Sequence, residues 1–238
     1  MTRALIVFAK KPEAEKVKTR LVPPLTFDEA KELYICFLKD AIVQYCKLAS
    51  EMKFKIFLMI TPDNAVGYFT EFMNTIPEIK DLKSDIKILV QKGANLGEKI
   101  SNAFDTVFSE KYTQTMVIGT DHPTLPDEYI ARAFDEMGQS KTDCVIGPTE
   151  DGGYYLLGLK TIQKDYFTGV AWSTENAFAQ TLENLINKKK AVQLLPMWYD
   201  VDDYTALIKM LDELAQEKSR HIPLYSKKFL SQMKTVEV

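Results

Sequence analysis

Up to Gly138, short unbroken apolar runs alternate with longer stretches whose apolar positions recur every three or four residues. The runs at residues 4–9 (ALIVFA), 53–60 (KFKIFLMI), 85–91 (DIKILVQ) and 116–118 (MVI) read as strands. The first is apolar throughout, as a strand covered on both faces by helices must be, and it reads as the central one. Between the runs, Thr26 and Glu29 stand at capping-box spacing before Leu33, Phe37, Ala41 and Tyr45, which predicts a helix over about residues 27–49. A short helix follows the turn at residues 61–64. Another is expected over 96–109 with Ile100, Ala103, Phe104 and Val107 inward, and a fourth from about Asp127 to Gly138 with Tyr129, Ile130 and Phe134 inward. Strand and helix in strict alternation imply parallel strands joined by crossovers. After Gly138 the rhythm changes. Residues 144–147 and 154–159 are apolar runs too close together for a crossover helix, and their pairing, with each other or with different sheet edges, stays open. Thr174 is placed to cap a helix to about Asn187, residues 191–195 read as a strand, residues 203–218 as a last helix capped by Asp203, and residues 221–238 as a wrapping or fraying tail.

Composition narrows the class. A chain of 238 residues that is 46% hydrophobic can bury a full core, and no composition shift divides it, so a single domain over residues 1–238 is expected. Thirty basic against 33 acidic residues, a net charge of -3, argue against a nucleic-acid or membrane-surface partner. No apolar run approaches the roughly 20 residues of a spanning helix. Cys36, Cys46 and Cys144 are odd in number, far apart and without a CxxC pattern, which argues against disulfides or zinc and for a soluble protein of the reducing cytoplasm.

Three constellations carry candidate chemistry. Residues 10–26 (KKPEAEKVKTRLVPPLT) hold Lys10, Lys11, Lys16, Lys18 and Arg20 among three prolines. That loop is longer than idle loops usually are, and its cations suit a phosphate site as well as a solvated charge run. It has no glycine, so it is neither a Rossmann fingerprint nor a P-loop. In TMVIGTDHPTLP, residues 115–126, an apolar run delivers Asp121 to a strand's carboxyl end, where open α/β sheets bind ligands. With Asp151 and with Asp200, Asp202 and Asp203 of YDVDD, it supplies hard oxygen donors suited to Mg2+ or Mn2+. Each alone is more often a cap or turn residue, and Asp203 reads as an N-cap. His122 reads as packing or support. EDGGYY, residues 150–155, fits either a close ligand approach at Gly152 and Gly153 beside Tyr154 or a tight hairpin.

Taken together, FAKKPEAEKVKTRL, QKGANLGEKI, IGTDHPTLP, GPTEDGGYYLLGL, WST and DVDD, spread over nearly the whole chain, resemble the bacterial glycosyltransferase-like DUF2064 group of the nucleotide-diphospho-sugar transferase (GT-A) superfamily. The resemblance implies a three-layer α/β/α sandwich with a mostly parallel mixed sheet. It implies nucleotide-phosphate contacts from Lys10, Lys18 and Arg20, a Mg2+ or Mn2+ ion held by Asp121 and Asp202, and an acceptor or sugar side lined by Asp151, Gly152, Gly153 and Tyr154. Asp151 would be the base or acceptor-orienting group, with Asp121 the other catalytic carboxylate. The implied activity is sugar transfer from a nucleotide sugar to a small acceptor. The alternatives are nucleotidyl transfer from a nucleoside triphosphate to a phosphorylated small molecule, and nucleotide binding without turnover. The chain departs from the family pattern at Glu15, usually glycine, at Asn95, usually aspartate, and in the missing threonine after Asp202.

Overall fold

A computed structural model describes residues 2–82, 85–216 and 221–233. The expected end of the helix over 203–218, and residues 234–238 of the tail, lie outside the described residues. The strands β1 (Arg3–Lys10), β2 (Phe54–Thr61), β3 (Ile86–Val90), β4 (Gln114–Ile118), β5 (Cys144–Pro148), β6 (Tyr154–Leu159) and β7 (Val192–Leu194) form one sheet in the order β3-β2-β1-β4-β6-β5-β7. β1 is parallel to β2 and β4, and β2 to β3. β6 runs antiparallel between β4 and β5, and β7 is parallel to β5. The two apolar runs after Gly138 therefore pair with each other, and β6 also reaches β4. This is the expected α/β sandwich with a mixed sheet.

The helices are α1 (Phe27–Met52), α2 (Val66–Asn74), α3 (Leu96–Ser109), α4 (Asp127–Gly138), α5 (Ala177–Asn187), α6 (Tyr204–Ala215) and α7 (Leu224–Leu230). Successive residues of β1 face opposite layers: Leu5 and Val7 pack under α1, α2 and α4, while Ala4 and Ile6 pack under α3 and α5. Both sets are buried, which is why the run has no polar positions. A third cluster joins Leu21 and Leu25 of the basic loop to Leu33 and Phe37 of α1, Val201, and Leu207 and Met210 of α6. No helix among the described residues is long and apolar enough to cross a membrane.

Three boundaries differ from expectation. α1 has the capping box of Thr26 and Glu29 but runs to Met52, where Lys53 in a left-handed conformation (φ 59°) ends it. α5 begins at Ala177, because Thr174 spends its hydroxyl on Ala171 O and on the amide of Asn176 in the preceding turn. The tail holds α7, docked by one buried group: Asp40 of α1 accepts bonds from Tyr225 N and Ser226 N, both 2.8 Å, and from the Ser226 hydroxyl. Asp40→Ala orphans two helix-start amides, and we expect a loss of about 2–3 kcal/mol in urea unfolding, with residues 221–233 becoming the first site of limited proteolysis.

Candidate active site

The site forms where β1 and β4 end. The loop after β1 is pinned on either side of Lys18, by Val17 in the core under α1 and by Leu21 in the third cluster. Lys18 itself is left-handed (φ 49°, ψ 36°), and its carbonyl accepts Leu21 N at 3.0 Å to open a short 3-10 turn. That conformation turns the side chain inward, where it is only 3% exposed. Its ammonium lies 5.2 Å from the Phe37 ring centroid and 5.9 Å from that of Tyr34.

Two carboxylates meet it there. Asp121 follows β4, and Asp202 belongs to the segment after β7. That segment is tied to the end of β5 by Trp198 N to Pro148 O (3.0 Å) and Glu150 N to Trp198 O (3.0 Å), and to Asp121 itself by Val201 N to Asp121 O (2.7 Å). The hydroxyls of Thr124 and Tyr199, 3.0 Å apart, add a further tie. Lys18 Nζ contacts Asp121 Oδ1 and lies 2.7 Å from Asp202 Oδ1. Residues 184 positions apart in sequence thus share one ion cluster.

The cluster is short of positive charge. Burial raises the Asp121 carboxyl, but the Lys18 ammonium outweighs it and holds the group below the usual range. Burial also raises Asp202, and here Lys18 only partly offsets it, because the Asp121 and Asp200 charges push the same way; Asp202 stays above the usual range. Burial works against the charge of Lys18, yet the two carboxylates push its pKa well up. Two carboxylates share one ammonium, and the Asp200 charge, felt at Asp202, adds to the negative side. Beside them lies a cleft of about 230 Å³ walled by Phe8, Leu96, Ile100 and Tyr154, with Asp121, His122 and Asp200 at its polar end. Larger cavities exist, including one of about 450 Å³ at the opposite ends of the strands, but charge converges at this smaller one.

The other candidates fall into separate places. The Lys10 ammonium donates to Lys16 O at 2.7 Å and braces the loop, while Arg20 pairs with Asp203 at 3.0 Å. Asp203 is the expected cap of α6, accepting Ala206 N at 3.0 Å, and it holds Arg20 as well. Asp151 lies outside the cleft lining, at the tip of the β5–β6 turn, and its Oδ1 accepts from the Thr149 hydroxyl (2.6 Å) and Gly153 N (3.1 Å). Gly152 has φ 85°, and an added Cβ would lie 2.0 Å from Glu175 O. Of that motif, Tyr154 and Tyr155 reach the cleft. Asn95 caps α3 by accepting Glu98 N at 2.9 Å, a task aspartate performs equally. Glu15 adopts φ 65°, the conformation that favours the family's glycine.

Two supports escaped the sequence reading. Tyr45, legible only as an inward face of α1, donates to Gly119 O at 3.0 Å and lies 3.3 Å from His122 Nε2. Tyr34, on the same face, accepts Lys10 N at 3.1 Å. Both anchor the ends of β1 and β4, and apolar periodicity gives no sign of a hydroxyl's partner. His122 Nδ1 and Asp200 Oδ1 stand 3.5 Å apart at the cleft.

A family model described as an uncharacterized protein conserved in bacteria (DUF2064) matches residues 44–174, a span that includes Asp121 and Asp151 but neither the basic loop nor Asp202. A crystal structure from Desulfovibrio desulfuricans G20, of a protein provisionally named a nucleotide-diphospho-sugar transferase, is 26% identical with a TM-score of 0.74 over 93% of this chain and 100% of that one. The 4-diphosphocytidyl-2C-methyl-D-erythritol synthase of Anaerococcus prevotii DSM 20548 shares the fold at 11% identity, with a TM-score of 0.53 over 90% of this chain and 96% of its own. No curated protein matches the chain.

Two outcomes follow from the loop and the cluster. Lys18→Met leaves two partly buried carboxylates without their cation, and because both remain partly open to water we expect a cost of about 2–3 kcal/mol, below that of a fully buried pair. Asp121 is depressed and Lys18 raised in the folded protein. Their contribution is therefore present above about pH 4, lost as pH falls through and below it, and retained until pH climbs beyond about 10.5. Denaturant unfolding of both proteins should show a gap that is flat between about pH 5 and 10 and narrows in acid. Glu15→Gly should stabilise by up to about 1 kcal/mol in the same assay by relieving a left-handed non-glycine residue.

Proposed function

The chain belongs to the DUF2064 family, and on that premise we propose that it is a divalent-metal-dependent transferase that moves a sugar from a nucleotide sugar to a small acceptor. The observation that carries this reading is the convergence of Asp121 and Asp202 on one point at the carboxyl ends of the strands, beside the cleft. Two hard carboxylates with a net negative surplus are a donor set suited to Mg2+ or Mn2+, whose remaining positions go to water and substrate phosphate. Asp121 and Asp202 would hold the ion. When bound, it supplies Lewis-acid stabilisation of negative charge on a leaving diphosphate.

The chain's own residues do the rest by position and charge. Lys10, Lys18 and Arg20 of the basic loop would supply the cations for a diphosphate, Lys18 from within the cluster, Arg20 from its pair with Asp203 and Lys10 from its brace on Lys16. Phe8, Leu96 and Ile100 give the cleft an apolar wall for part of the ligand, since about 230 Å³ is below the roughly 300 Å³ of most ligand sites. The remainder extends past Tyr154 toward the β5–β6 turn, where Asp151, Gly152 and Gly153 form the acceptor side and Asp151 orients the acceptor. The fold shared with the Anaerococcus prevotii synthase supports a second reading, nucleotidyl transfer with release of pyrophosphate. A nucleotide-binding module without turnover has less support, because Asn95 still performs its structural task.

Products separate these readings. Incubation with nucleotide sugars and Mg2+ is expected to release nucleoside diphosphate; pyrophosphate from nucleoside triphosphates instead would establish the second reading, and binding without either product the third. In thermal-shift assays, a nucleotide at about 100 times its dissociation constant should stabilise the wild type by about 2.7 kcal/mol with Mg2+ present. Asp121→Ala should abolish that metal-dependent shift, and an undiminished shift removes Asp121 from the metal role.

A further inference from the structure

We propose that Lys18 is the resident cation of the Asp121–Asp202 pair, and that a divalent ion enters only by exchange with it, freeing the ammonium to meet phosphate. This rests on the metal reading above and adds the order of events. The Lys18 Nζ occupies the point where the two carboxylates converge. A metal at coordination distance from those same oxygens would sit in contact with the ammonium, and two cations cannot share that point. One of them must leave.

The resting place is built for Lys18. Two of its three N–H donors serve Asp121 and Asp202, and its ammonium is packed near the rings of Phe37 and Tyr34, with 3% of the side chain exposed. Held there, it is closed to a nucleotide. The exit is also built. Val17 and Leu21 fix the backbone on both sides, so a four-carbon stem can swing without unseating the loop, and residues 13–16 before it are partly or fully exposed. Charge closes the cycle: two carboxylates less one ammonium leave a surplus of one negative charge, and replacing that ammonium by a divalent ion neutralises the pair and frees one mobile cation for phosphate. Metal and nucleotide binding are then positively coupled, each strengthening the other by the same factor.

Mn2+ alone, without nucleotide, tests this. Titration followed by the electron paramagnetic resonance signal of free Mn2+ should show Lys18→Met binding about tenfold or more tightly than the wild type, since the competing cation is gone. In the wild-type protein, acylation of lysines mapped by peptide mass should leave Lys18 unmodified without metal and modified at saturating Mn2+, a readout that stands even where the variant fails to fold. Equal or weaker Mn2+ binding by a folded variant, or a Lys18 that stays unreactive while Mn2+ is bound, overturns the exchange and leaves the metal assignment in place. Failure of both proteins to bind Mn2+ overturns both.

Discussion

An ammonium group shut away from water has to be neutralised by something the fold can hold still, and in this protein that requirement ties together segments 184 positions apart. Lys18 comes from the first loop, Asp202 from the segment between β7 and α6, and Asp121 from the tip of β4, with the lysine between the two carboxylates. Desolvating a lysine is costly unless opposite charge is within contact distance. The third apolar cluster exists to keep it there, because Leu21 and Leu25 of the loop pack with Val201 and α6 behind the ion cluster. Electrostatics and packing therefore depend on each other at this edge of the sheet.

The sheet provides the frame. A parallel core of β3, β2, β1 and β4 opens its carboxyl ends to one side, and insertion of antiparallel β6 next to β4 brings the turn at Asp151 and the strand start at Tyr154 to the same edge. β7 then lies parallel to β5 and carries the chain across to Asp202. A charged pair assembled this way needs every strand order to be right, whereas the site's size does not: the cleft is smaller than others on the same molecule, and what marks it is convergence of charge.

Much of this was legible beforehand. Continuous apolar runs marked buried strands, and helical spacing marked α1, α3 and α4, because burial on one or both faces is written directly into residue order. Thr26 with Glu29, and Asp203, announced helix starts through a local hydrogen bond. The capping signal misled at Thr174, since the same hydroxyl can serve a turn, and α7 was missed because its docking depends on Asp40, 185 residues from Tyr225. At the site, residue types pointed to Lys18, Asp121 and Asp202, but nothing in the sequence says that the lysine lies between the carboxylates. That is a property of the left-handed backbone at Lys18 and of the packing around it. The loop's departure at Glu15 becomes intelligible only with its φ of 65°.

The central claim is that this ion cluster is the place where a metal and a nucleotide diphosphate meet. Crystals grown with Mn2+ and a nucleoside diphosphate, measured at the manganese absorption edge, test it most directly. One anomalous peak is expected within coordination distance of both Asp121 and Asp202, with the diphosphate on its far side and the Lys18 ammonium turned toward a phosphate oxygen. Manganese elsewhere, or a nucleotide bound away from these carboxylates, would contradict it.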